Sequence, residues 1–230
     1  MSDKPNPKQK IIDAAIDLHV SGDKKYTIKN IAAKARLKEE DVYAEFNARS
    51  HILPEYYPST VLRFREMIAE IDGFGEFSLE EKLSTFIYSM FDILQEQREF
   101  VDETFDEMVF QRGKKSAFVI EVAKVFRDFL ETSHAASGLQ SMIVLKQDTY
   151  DFLAKEYTHL LKFWLRDTSE NFSSTVALSD KLVSFLAELV ESGLIDKGVD
   201  LFKFFVNNDL LKFDIPLISR LLSFFVGGRS

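Results

Sequence analysis

Wherever apolar residues cluster in this chain they return every three or four positions, and nowhere do they alternate with polar residues over a useful length. That period puts one apolar stripe on each of a series of helices, so the pattern predicts an all-α fold. The interruptions are equally plain. Ser21-Gly22-Asp23, Asp72-Gly73-Phe74-Gly75, Gly113, Ser137-Gly138 and the polar run from Asp167 to Ser174 each stop a periodic segment. Ser78-Leu79-Glu80-Glu81 has the spacing of a capping box and opens a stripe of Leu79, Leu83, Phe86, Ile87, Met90, Phe91 and Leu94. Further helices are expected over about 99–110, 115–131, 139–165 and 176–194, and apolar stretches remain at about 199–206 and 210–226.

Two helical patterns stand almost end to end between Tyr26 and Leu53. Thr27 can cap the first with its hydroxyl, followed by Ile28, Ile31, Ala32 and Ala35 at helical spacing; the second carries Val42, Tyr43 and Phe46. Two short helices with so little chain between them form a helix-turn-helix in outline, in which the first braces the second against a DNA major groove. With the helix expected over Ile11 to Val20, they make a three-helix head.

At these residues the chain resembles the TetR family of bacterial transcriptional regulators. Ile12, Ala14, Ala15 and Leu18 look like that family's first helix, ended by Gly22; Thr27, Ile31 and Ala32 look like its second; Tyr43, Phe46, Arg49 and Leu53 look like its third and the start of its fourth. The resemblance covers roughly the first 55 residues. It implies an all-α, TetR-like architecture: a helix-turn-helix head over residues 1–57 and a larger helical bundle body over 58–230. It also implies a transcriptional regulator rather than an enzyme, with a DNA operator and a second copy of the chain as partners. Thr27, Tyr43 and Arg49 would then reach phosphates, and Lys34, Arg36 and Lys38 would add positive charge near the turn.

Two departures from the family bear on that function. Arg36 stands where the family usually has a turn glycine, a position that often needs the left-handed conformation and then costs a non-glycine residue about 1 kcal/mol. Lys38 replaces the usual serine or threonine cap, and the helix behind it opens with Glu39, Glu40 and Asp41 and closes on Glu45. Acids suit a helix N-terminus, yet phosphates repel carboxylates unless a cytosine amino group donates to them.

Charge is divided unevenly. Residues 1–57 hold ten of the 29 Lys and Arg and nine of the 37 Asp and Glu, so of the chain's net −8 the head carries +1 and the body −9. That balance argues against a general nucleic-acid binder. The absence of cysteine excludes disulfides, thiolate metal sites and cysteine nucleophiles, and is compatible with a reducing, cytoplasmic setting. Met1 to Lys10 is polar with Pro5 and Pro7, which reads as a mobile arm offering Lys4, Lys8 and Lys10, not as a signal peptide.

Of the 22 phenylalanines, 21 lie after residue 60. The body is therefore built either to pack a large aromatic core or to enclose an apolar ligand, with Phe152, Tyr157, Phe163 and Trp164 as the expected pocket wall. The run Ile215 to Val226 is too short to span a bilayer, so stable membrane insertion is not expected; cover by a second subunit is, which makes a homodimer. Phe163 to Ser169, taken with Thr175, also looks like the lipid-binding TetR-like proteins of ubiquinone biosynthesis. The alternative function is accordingly a TetR-shaped carrier of a lipid or other apolar molecule that no longer reads DNA.

Enzyme chemistry finds little to stand on. HExxH, GxSxG, P-loop and GxGxxG patterns are missing, and no cofactor is implied. Glu131 with His134 and Glu156 with His159 repeat the Glu-x-x-His spacing of di-iron bundles, but His134 follows the end of a helical pattern and suits a helix C-terminus; no metal is expected.

Overall fold

The computed structural model describes residues 6–22, 26–110, 115–132 and 146–191. All regular structure among them is helical: α1 (Pro7–Val20), α2 (Ile28–Ala35), α3 (Glu39–Glu45), α4 (Tyr56–Ala69), α5 (Leu79–Gln95), α6 (Arg98–Val109), α7 (Ala117–Thr132), α8 (Gln147–Arg166) and α9 (Ser173–Glu191). Single 3-10 turns occupy Arg49–His51, Leu53–Glu55, Phe74–Glu76 and Glu170–Phe172. The expected helical segment before Gln147 and the apolar stretches at about 199–206 and 210–226, with Ile215 to Val226, lie outside the described residues.

Helix starts follow local chemistry. α1 begins at Pro7, not Ile11, because the Asn6 side chain accepts from the Lys8 N–H at 3.0 Å and Pro7 fills the first helical position, where a missing N–H costs nothing. Residues 7–10 are thus the helix's first turn, polar because none of them is buried, and not part of an arm. Lys8 is tied to Glu55 at 2.6 Å. At α5 the capping box forms as its spacing predicts: the Ser78 hydroxyl accepts from the Glu81 N–H at 3.2 Å, and the Glu81 carboxylate accepts from the Ser78 N–H at 2.8 Å.

The chain divides into two compact units, Met1–Ile71 with Ser89–Glu121 and Asp72–Tyr88 with Val122–Ser230. The first unit joins the residues before 57 to later helices through packing. Ile11, Ile12, Ile16, Ile31, Val42 and Ile52 are fully buried in it, and α4 adds Tyr57 and Phe64. The Tyr57 ring lies 5.8 Å from Phe105 and 5.9 Å from Phe118, and its hydroxyl is hydrogen-bonded to that of Thr104 at 2.8 Å. Burial of this hydroxyl raises its pKa despite the Thr104 bond, so it stays protonated.

In the second unit α5, α7 and α8 contribute an aromatic cluster in which Phe86 meets Phe126 at 5.7 Å, Phe129 at 6.4 Å and Tyr157 at 4.9 Å. The reversal from α8 to α9 is organised by one carboxylate. Asp167 accepts from the Ser169 N–H (2.9 Å) and hydroxyl (2.6 Å) and from the Thr175 N–H (2.8 Å) and hydroxyl (2.6 Å), while the Ser169 hydroxyl accepts from the Ser174 N–H at 3.0 Å. Two first-turn N–H groups of α9 are satisfied in this way. The turn also places Asn171 and Phe172 at φ of 51° and 54°, a left-handed region that asparagine tolerates and a bulky residue such as phenylalanine does not without strain. Asp167, Ser169 and Thr175, which carry the resemblance to lipid-binding proteins, act here as a helix cap.

That cap makes a pH-dependent prediction. Burial works against the Asp167 anion, but the hydrogen bonds from Ser169 and Thr175 outweigh it and set the carboxyl at about 2 against an ordinary 3.8. Because the folded value is the lower one, the stability this group contributes is full above pH 3.8 and is lost as the pH falls through about 2. Asp167→Ala is expected to cost about 1–2 kcal/mol at neutral pH, the range for losing a helix cap. In urea titrations the gap between the two proteins should close near pH 2; an equal gap at both pH values would sink the assignment.

Candidate nucleic-acid interface and ligand cavity

The helix-turn-helix is assembled by backbone chemistry. Thr27 caps α2 through a reciprocal pair, its hydroxyl oxygen accepting from the Asn30 N–H at 3.2 Å and the Asn30 side-chain oxygen accepting from the Thr27 N–H at 2.8 Å. At the other end Arg36 takes φ 57° and ψ 42°, and the Leu37 and Arg36 N–H groups donate back to the Ala32 and Ala33 carbonyls at 2.9 and 3.2 Å. This is a Schellman turn with arginine at the position that favours glycine. Lys38 starts α3 without a side-chain cap of its own; instead the Asp41 carboxylate accepts from the Lys38 N–H at 2.9 Å. One of the four acids of α3 is therefore committed to closing the helix start.

Val42 is buried under α3, whereas Glu39, Glu40, Tyr43, Ala44 and Glu45 are exposed, Tyr43 to 54%. Lys34, Arg36 and Lys38 are exposed around the turn, with Lys34 3.1 Å from Asp17. Lys29 on α2 is also exposed, a basic group the sequence reading passed over. Arg49 donates to the Tyr26 carbonyl at 2.9 Å and lies over the Tyr26 ring at 5.1 Å. The structure thus gathers Thr27, Lys34, Arg36, Lys38, Tyr43 and Arg49 onto the helix-turn-helix and its flanks.

Arg36→Gly separates stability from charge. Relief of the left-handed backbone should raise folding stability by about 0.5–1 kcal/mol, offset in part by the greater freedom of glycine in the unfolded chain. Thermal unfolding measures it, and a lowered melting temperature would contradict the strain.

The second unit holds a cavity of about 60 Å³. Leu83 and Ile87 of α5, Phe126 of α7, Leu153, Glu156, Tyr157 and Leu160 of α8, and Leu182, Val183 and Leu186 of α9 line it. Of the four expected wall residues it includes Tyr157. Phe163 is 44% exposed, Trp164 is buried with its ring 6.1 Å from Phe172, and Phe152 is half-buried; none of these three lines this cavity. The leucines of α9 were missed because a stripe on one helix does not say which stripe of another faces it. Among the described residues no three His, Asp or Glu side chains group as a metal ion requires, and His134 lies outside them. None of the described helices is long and apolar enough to cross a membrane.

Residues 82–205, more than half of the chain, match the tetracyclin repressor-like C-terminal domain family. The chain belongs to the TetR family. Among solved structures, a TetR transcriptional regulator from Nitrosomonas europaea is similar with a TM-score of 0.57 and 18% identity, covering 79% of this chain and 98% of that one. At that identity the likeness shows the fold. No curated protein matches the sequence significantly. The family match falls on the body and the residue resemblance on the head, so the TetR assignment rests on two separate stretches of chain. The second helix of the helix-turn-helix, α3, exposes Glu39, Glu40 and Glu45 and is therefore an acidic one.

Proposed function

We propose that this TetR-family protein is a DNA-binding transcriptional regulator: α3 enters the major groove of an operator, the second unit takes an apolar small molecule, and two copies of the chain act together. Ligand and DNA then bias one equilibrium between two states of the dimer. The observation that carries the reading is the capped helix-turn-helix, whose exposed side presents Lys34, Arg36, Lys38 and Tyr43 together with Thr27 and Arg49. These groups suit phosphate contacts, while Glu39, Glu40, Ala44 and Glu45 occupy the positions that face bases. A gel shift on the DNA flanking its own gene tests this, with retardation at about 50 mM salt that fades steeply by about 200 mM. No retardation at the lower salt counts against the regulator, and a stable monomer in light scattering at micromolar concentration counts against the pairing.

A second reading draws on the acids of α3: a TetR-shaped carrier that holds a lipid-like molecule and has lost DNA. It is supported if the protein binds no duplex at low salt while native mass spectrometry finds a co-purified lipid. Specific operator binding removes it as a sole function.

A further inference from the structure

Val42, fully buried, is the residue on which α3 is seated. At about 3.6 residues per turn, Glu40 and Ala44 stand about 160° around the helix from Val42, one on each side, whereas Asp41 and Tyr43 stand about 100° from it and Glu39 and Glu45 about 60°. Of the four residues at base-facing positions, Glu40 and Ala44 therefore point most directly away from the head. Asp41 is already committed to the Lys38 N–H at 2.9 Å, so the start of α3 does not need Glu40 to close it. Among the described residues Glu40 has no hydrogen bond and no ion pair, although Lys34, Arg36 and Lys38 are exposed around the adjoining turn.

We infer that Glu40 is the specificity-determining residue of the head and that it reads a cytosine. This rests on the regulator reading and names the base that it would recognise. A carboxylate has no hydrogen to donate, so against DNA it gains only where the groove offers a donor. In the major groove cytosine presents its N4 amino group; the N6 amino group of adenine stands beside the N7 acceptor, which repels a carboxylate, and guanine and thymine present acceptors and no donor. Ala44, the other residue of the outward ridge, is short enough to let α3 approach the base edges. At any other base the same carboxylate meets phosphate repulsion that nothing offsets. Specificity is a difference of affinities, and an acid that costs binding at every wrong base and recovers it at one enlarges that difference. The basic groups around the turn supply the sequence-independent attraction that such a scheme requires.

Selection of the full-length protein and of its Glu40→Gln variant on a randomised duplex pool at about 50 mM salt tests this. The parent should enrich an element with a cytosine that the variant replaces by adenine, because a glutamine amide accepts from N6 and donates to N7. In fluorescence anisotropy, exchanging that C·G pair for A·T should weaken the parent about five- to tenfold and strengthen the variant. A duplex lacking the element should bind the variant about threefold more tightly per head, the repulsion of one carboxylate having gone. A residue serving only the helix N-terminus would behave otherwise: glutamine would lower the melting temperature and leave the enriched bases as they were. The same bases enriched by both proteins, an element in which no cytosine changes, or binding with no enriched element overturns this inference alone. No binding of any duplex by either protein at this salt defeats the regulator reading, and the inference with it.

Discussion

Phe86→Ala should destabilise the protein by about 3–5 kcal/mol, the range for removing a buried aromatic ring and leaving a void. Phe86 is fully buried, with the rings of Phe126, Phe129 and Tyr157 all within 6.4 Å. Its neighbours come from α7 and α8, two helices that cannot close the gap without giving up contacts of their own. Against a total stability of about 5–15 kcal/mol such a loss removes a large share. Urea midpoints would show it, with Phe86→Leu as the milder companion at under about 1.5 kcal/mol. A loss below about 1 kcal/mol for the alanine variant would mean that the cluster is loosely packed and contributes little.

Replacing Glu39 and Glu40 together by glutamine should raise affinity for a non-specific duplex about tenfold per head, and about a hundredfold where two heads bind together. A carboxylate roughly 6 Å from a phosphate costs about 0.7 kcal/mol in a water-like dielectric, so two of them cost about one factor of ten. The gain should be largest at low salt and shrink above about 0.1 M, where charges more than about 10 Å apart are screened. Fluorescence anisotropy across a salt series reads both quantities. Unchanged affinity would mean that α3 does not approach the phosphates; a drop confined to one operator sequence would mean that these acids accept from base edges instead.

The head was legible in the sequence because its determinants are local. Thr27 and Asn30 are three residues apart, the left-handed residue at Arg36 follows directly on the last apolar position of α2, and Ser78 and Glu81 announce α5 in the same way. Where exposure masked the period, as in the first turn of α1, the helix start was misplaced. Tyr157 was legible as a pocket residue from its stripe on α8. Phe163 shares that helix yet is 44% exposed, and Trp164 continues the stripe yet packs against Phe172. Their placement depends on how α9 returns along α8, and that return is set by Asp167 and its four hydrogen bonds rather than by either helix's own pattern.

Arg49 has a mechanical consequence for the helix that would meet DNA. By donating to the Tyr26 carbonyl at 2.9 Å it clasps the residue before the Thr27 cap of α2 to the turn after α3, closing residues 26–49 into a ring. α3 has only seven residues, far below the dozen or so that an isolated helix needs to persist in water. The clasp limits how far the two helices can separate, so α2 and α3 are expected to exchange their amide hydrogens together, which hydrogen exchange would read. Guanidinium carries five N–H donors, and the clasp uses one. A phosphate gripped by the others would draw the ring tighter.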